Sequence, residues 1–195
     1  MNIPFKQNDI FRKMIVLWIL IIFIFSNSAV NAQFGIAAEC NVNVVCEPDW
    51  CNQRRSVGLI YKLVDGVYVR SGTGSLITNE RRDGRPYFLT ANHIITSNSL
   101  TDTEISDAEQ TTIETLMVVF NYQSSDCNSN TSLIEPDTTF FVVGATLRAN
   151  SIYGDWALLE LNSRIPGNYN VYYNGFSNAT EKPDNITMIH HPRVD

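Results

Sequence analysis

Positive charge is in the minority in this chain of 195 residues: 14 Lys plus Arg stand against 20 Asp plus Glu, a formal net charge of −6. Nucleic acid is bound chiefly through neutralised phosphates, so an acidic chain without a basic stripe is not read as a nucleic-acid partner. Histidine is scarce, with His93, His190 and His191 the only three. Cysteine is limited to Cys40, Cys46, Cys51 and Cys127. The close pair Cys46 and Cys51 is followed by no second Cys or His pair at ligand spacing, which argues against a zinc module. No internal repeat and no low-complexity linker is found. The longest apolar run, residues 14–25, has 12 residues. That is short of the ~20 that a membrane-spanning helix needs.

What is present suits a folded domain. With 44% hydrophobic and 17% charged residues, there is apolar material for a core. Lys6, Arg12 and Lys13 form a cationic lead into the run at 14–25, and the small, polar stretch behind it sets Val30 and Ala32 as a cleavage pair. Residues 1–32 therefore read as a secretory signal peptide, with the mature chain starting at Gln33. Export permits disulfides, and four cysteines allow three full pairings between which spacing alone does not choose.

From Val57 onward the sequence is a series of short β-rich runs: 57–64, 67–70, 74–77, 87–91, 116–122, 139–145, 156–161, 171–173 and 186–189. Asp65-Gly66 between the first two is a hairpin signal. Such spacing predicts an all-β barrel or sandwich. Residues 97–115, rich in Thr, Ser, Asp and Glu, read as a surface excursion with a short helix at most. Its carboxylates lack the loop pattern of a calcium-binding hand and are expected to be solvated.

His93 ends the apolar run Tyr87-Phe88-Leu89-Thr90-Ala91-Asn92, so its imidazole is expected to emerge at a strand end, a suitable place for a general base. Asp155 directly precedes the apolar strand Trp156-Ala157-Leu158-Leu159, where a carboxylate turns to solvent or has a dedicated partner. An imidazole is the partner that would make it catalytic: the acid fixes the tautomer while the other ring nitrogen takes a nucleophile's proton. The adjacent His190 and His191 point apart on an extended chain, and no metal site is expected there.

Thr90-Ala91-Asn92-His93 resembles the Thr-Ala-x-His motif of chymotrypsin-like serine proteases, and Asp155-Trp156-Ala157-Leu158-Leu159 resembles their Asp-x-Ala-Leu-Leu motif. More closely, the chain resembles the secreted bacterial lysyl endopeptidases. Its matching stretches include Cys40-Asn41-Val42-Asn43-Val44-Val45-Cys46, Gly72-Thr73-Gly74-Ser75-Leu76-Ile77, Phe120-Asn121-Tyr122-Gln123 with Cys127, and Ile189-His190-His191-Pro192. Together with the histidine and aspartate stretches they run in family order over nearly the whole mature chain.

The resemblance implies an all-β, trypsin-like double β-barrel with the first barrel present and the second truncated. Residues 33–165 would form the N-terminal barrel, and 166–195 the inter-barrel connection and the start of the second. His93 would be the general base and Asp155 its orienting acid. The family's nucleophile lies in a Gly-Asp-Ser-Gly motif in the second barrel; after Asp155 only Ser163 and Ser177 occur, neither beside a glycine. Gly72-Thr73-Gly74-Ser75 lacks the second glycine of a nucleophile elbow. The nucleophile is thus expected beyond this chain, which reads as an inactive N-terminal fragment of a secreted serine endopeptidase, for which the resemblance implies cleavage after lysine. The resemblance also implies a Cys46–Cys127 disulfide and leaves Cys40 and Cys51 open. A family cysteine after the histidine is replaced by Ile94, and its partner position falls in the 69–71 region. No cofactor or metal is implied. The expected partner is a protein or peptide substrate, met by a secreted monomer, extracellular or periplasmic, with no nucleic acid and no membrane after signal cleavage. The competing reading is a secreted, non-catalytic protease-like binding module.

Overall fold

The computed structural model describes residues 41–96, 105–124, 126–127 and 140–194. The predicted signal peptide and Cys40 lie outside them. The chain divides into Met1–Gln33 and Phe34–Asp195, and all that follows concerns the second unit.

Two strands set the frame. β1 (Val57–Val64) runs into β2 (Val67–Ile77) through Asp65 and Gly66, whose φ angles of 50° and 79° give the doubly left-handed turn that matches strand twist. The two short runs expected at 67–70 and 74–77 are one long strand. Its register against β1 slips between Ile60 and Tyr61, leaving Ser71 as an extra residue. Such a bulge bends the pair. On one side of it Leu59 and Ile60 are fully buried; on the other, Leu63, Val64, Val67 and Val69 are exposed along the projecting hairpin.

β3 (Tyr87–Thr90), the single-turn helix α1 (Asn92–Ile95), the helix α2 (Asp107–Thr115), β4 (Met117–Phe120), β5 (Phe141–Val143), β6 (Ala145–Ser151) and β7 (Trp156–Leu161) complete the unit. All strand pairs are antiparallel, in the order β5-β4-β1-β2-β3-β7-β6. The outermost strands β5 and β6 are separated in sequence by Gly144 alone, so the sheet must curl until its two edges meet there. Gly144 donates its N–H to the Leu116 carbonyl at 2.7 Å and accepts from the Asn162 N–H at 3.0 Å, linking both edges. Its φ of 79° favours glycine, and a Cβ would lie 2.7 Å from the Glu114 carbonyl oxygen. The fold is therefore all-β, a curled antiparallel barrel of the trypsin-like kind.

Phe88 and Phe120 meet edge to face at 6.2 Å in the interior, with Leu76, Val118 and Leu159 fully buried around them. The excursion expected to lie on the surface contributes to this core. Ser106 and Glu109 form a reciprocal capping box at the start of α2, and Ile113 in that helix is fully buried. Glu109 itself is buried, its carboxylate accepting from the Ser106 backbone N–H and hydroxyl at 2.9 Å each, so it is not a solvated surface charge.

Residues 171–173 and 186–189 form no strand, contrary to expectation. The exception nearby is a single parallel bridge between Ile77 and Asn174. An apolar run becomes a strand when a neighbour offers a ladder, and among the described residues no further edge is paired with this segment. Cys46 and Cys127 are bridged across 81 positions of sequence, tying the entry to the barrel to the segment behind β4. Cys51 is unbridged and exposed.

Candidate active site

His93 owes its position to an abrupt change of backbone. β3 ends at Thr90, whose hydroxyl donates to the Thr73 carbonyl of β2 at 2.9 Å, and Ala91 leads into the one-turn helix α1. Within that turn Asn92, Ile94 and Ile95 are buried, which leaves His93 on the outer face with its side chain 66% exposed. The strand end thus delivers the imidazole to the rim of the barrel.

Ile94 anchors the turn. It packs over Gly72 of β2, where a Cβ would lie 2.5 Å from the Ile94 Cδ1 atom. An isoleucine over a bare glycine fills the space between these two segments by packing.

Asp155 closes the turn between β6 and β7. Its N–H donates to the Ile152 carbonyl at 3.2 Å, and its φ of 47° is one that Asp adopts more readily than most residues. That conformation turns the carboxylate onto α1. Oδ1 accepts from the His93 backbone N–H at 2.9 Å, and Oδ2 lies 2.8 Å from Nδ1 of the same residue. A carboxylate at this distance accepts, so Nδ1 carries the proton and Nε2 is the basic atom of the neutral ring. The carboxyl is held below the usual aspartate range first by the His93 backbone N–H; burial, the next effect in size, opposes this, and the hydrogen bond and charge of the imidazole add to the lowering. The Asp155 side chain is 52% exposed and has the dedicated partner that a carboxylate beside an apolar strand calls for.

Other polar groups near β2 hold the trailing chain. The Ser75 hydroxyl lies 2.9 Å from the Ser56 hydroxyl and accepts from Nδ2 of Asn174 at 2.9 Å. His191 donates its backbone N–H to the Thr73 hydroxyl at 3.0 Å, places Nε2 3.1 Å from the Tyr122 carbonyl, and meets the Tyr122 ring edge-on at 5.4 Å. His190 is exposed. The two histidines thus face different surroundings.

Sequence reasoning missed the groups beneath the pair. Asn150 of β6 donates from Nδ2 to Oδ1 of the buried Asn92 at 2.8 Å, and Asn92 donates in turn to the Thr96 hydroxyl at 3.3 Å. An asparagine in a polar stretch carries no signal of its own; Asn92 could have been noticed only for its place inside the histidine motif.

The rim of the curled antiparallel barrel thus carries a hydrogen-bonded histidine and carboxylate. The chain belongs to the lysyl endopeptidase C-terminal domain family, whose model matches residues 34–195. It is also similar to a lysyl endopeptidase of Pseudomonas aeruginosa, with 27% identity over 171 residues, which cover 83% of this chain and 34% of that protein. The chain thus spans about a third of the length of that curated relative.

Proposed function

We propose that this chain supplies the general base and its orienting acid to a secreted serine endopeptidase. The observation that carries the reading is the double hold of Asp155 on His93, through the backbone N–H and through Nδ1. Nε2 of His93 would take the proton of a serine hydroxyl as its oxygen attacks the peptide carbonyl. The resulting imidazolium, stabilised by Asp155, would hand that proton to the leaving amine, and water would release the acyl group by the same steps. The exposed imidazole is open to a substrate and to a second barrel alike. No Gly-Asp-Ser-Gly occurs in these 195 residues, so the nucleophile and its oxyanion donors would come from sequence beyond them, and this chain alone would not cleave peptides. Cleavage after lysine is supported by the relative's name alone. Export is supported by the signal-like residues 1–32, and among the described residues no helix is long and apolar enough to cross a membrane.

The test is the natural secreted product: its intact mass, the coding sequence past Asp195, and labelling by a fluorophosphonate probe. Labelling that disappears in the His93→Ala variant, with kcat/KM lower by on the order of 10^4-fold, is the expected result. A folded, full-length product that takes no label would overturn the enzyme reading in favour of a binding module.

A further inference from the structure

The His93–Asp155 pair is poorly protected by its own surroundings. Both side chains are more than half exposed, and hydrogen bonds between groups so open to water are weak and easily exchanged. A site geometry held to a few tenths of an ångström needs support from buried groups underneath. The two halves of the pair come from separate elements: His93 from α1, and Asp155 from the turn that joins β6 to β7. A part-buried side-chain hydrogen bond connects α1 to β6, the strand that leads into that turn. Asn92, 3% exposed and adjacent in sequence to His93, accepts from Asn150 at 2.8 Å. Asn150 lies opposite Ala157 in the β6–β7 register, at the root of the turn that ends in Asp155. The second arm of the Asn92 amide ties α1 to itself, donating to the Thr96 hydroxyl, which donates in turn to the Asn92 backbone carbonyl at 3.1 Å.

We propose that Asn92 and Asn150 form a positioning device that fixes α1 against the β6–β7 turn and so sets the geometry of the His93–Asp155 pair. The two asparagines touch neither substrate nor nucleophile; they act through His93 and Asp155. An alanine at 92 would leave this chain with a packed turn and no link to β6. The Asn92 amide matches its two neighbours well because its carbonyl faces the donor of Asn150 and its NH2 faces the acceptor of Thr96. Removing Asn150 leaves the Asn92 carbonyl buried without that partner, a cost that α1 can relieve only by moving. Movement of α1 is movement of His93. The inference rests, for its catalytic meaning, on the function proposed above; the geometric claim does not.

The test uses the full chain, isotopically labelled, with Asn150→Ala as the main variant. Asn150 is half-buried on an outer strand, so the barrel is expected to stay folded, as read by the dispersion of core methyl resonances. Two signals report on the pair: exchange of the His93 backbone N–H with solvent, and the downfield Nδ1–H resonance of its ring. In Asn150→Ala the first is expected to speed up about tenfold and the second to broaden beyond detection, while amides of β1 and β4 keep their protection. Thr96→Val, which removes the hydroxyl and preserves shape, is expected to produce a smaller change of the same kind. If both signals stay as in the wild type in Asn150→Ala while the amides of β6 and β7 exchange faster, the asparagines are merely structural and the proposal is overturned. In the longer protease the same substitution is expected to lower kcat about tenfold with KM unchanged. A variant that lacks both NMR signals in a product that takes no fluorophosphonate leaves the positioning claim standing and removes only the proposed activity.

Discussion

The barrel and the chain that trails from it use similar residues to opposite ends. Between Val57 and Leu161, Leu59, Ile60, Leu76, Phe88, Val118 and Leu159 are fully buried. Behind it, Phe176, Ile186 and Met188 are 62%, 79% and 75% exposed. The start of the trailing segment is held by Tyr169, bonded to Asn121 and Phe141, and by Asn170 and Tyr172, bonded to Arg55; further on it is fastened by Asn174 to Ser56 and Ser75 and by His191 to Thr73 and Tyr122. Between these clamps no strand forms. Burial in the barrel is therefore a matter of available partners, and side-chain character alone does not produce it.

The sharpest test of that contrast is truncation on both sides of it. Phe88→Ala removes the ring at the centre of the barrel and is expected to destabilise by about 3–5 kcal/mol, whereas Ile186→Ala and Met188→Ala should stay within about 0.5 kcal/mol. Denaturant titrations of the three variants decide it; a large loss in either trailing variant would show a burial partner for that segment in solution.

The second effect in size lies outside packing altogether. The Cys46–Cys127 bridge closes a loop of 81 positions, and Cys127 is exposed, so its contribution comes chiefly from restricting the unfolded chain. Replacing both cysteines by serine is expected to lower stability by about 4 kcal/mol, with native packing unchanged. A loss much below about 2 kcal/mol would mean that the unfolded state is already compact at these positions.

A third, smaller change should affect the trailing segment and spare the barrel. Asn174 donates to Ser56 at 2.7 Å and to Ser75 at 2.9 Å, and its backbone pairs with Leu76 and Thr78. Asn174→Ala leaves two hydroxyls short of a donor and is expected to cost about 1–3 kcal/mol. Limited proteolysis should then cut between residues 164 and 190 several times faster, while the barrel core remains resistant. Equal acceleration in both regions would mean that the clamp is part of one cooperative unit with the barrel.

The same contrast accounts for what was legible in the sequence. β1, its Asp65-Gly66 turn and β7 could be read directly, because each is an apolar run whose neighbours lie close along the chain or bury it on both faces. β6 was missed: Thr-Leu-Arg-Ala-Asn-Ser is polar on its outward face and carries its one strong hydrophobic residue half-buried at Leu147. The runs at 171–173 and 186–189 look like strands and are not, since local pattern cannot report whether a partner is present. The capping signature Ser106-x-x-Glu109 was there to be read, yet its acidic setting pointed to solvent. At the site, His93 and Asp155 stood in motifs, while the supporting Asn150 became visible only when register set it beside Asn92.

Asp155 is the place where the barrel behaves like the trailing segment, holding a contact in water, and it should show the smallest effect of all. Its carboxyl sits below the usual aspartate range because the ionised form is bonded by the His93 N–H groups. A group whose folded value is depressed contributes stability above its unfolded value, near 3.9 as an approximate reference, and loses it as pH falls through the lower folded value. The His93–Asp155 contact is therefore expected to persist below the pH at which a free aspartate is half protonated, then open. Because the carboxylate is half exposed, added salt should move that midpoint upward toward the ordinary value. The Asp155 side-chain carboxyl carbon resonance, followed from pH 6 downward at low and high salt, measures it. A midpoint at the ordinary aspartate value in low salt would mean that the two bonds to His93 are not kept in solution, and a midpoint indifferent to salt would mean that the pair is more deeply shielded than its exposure implies.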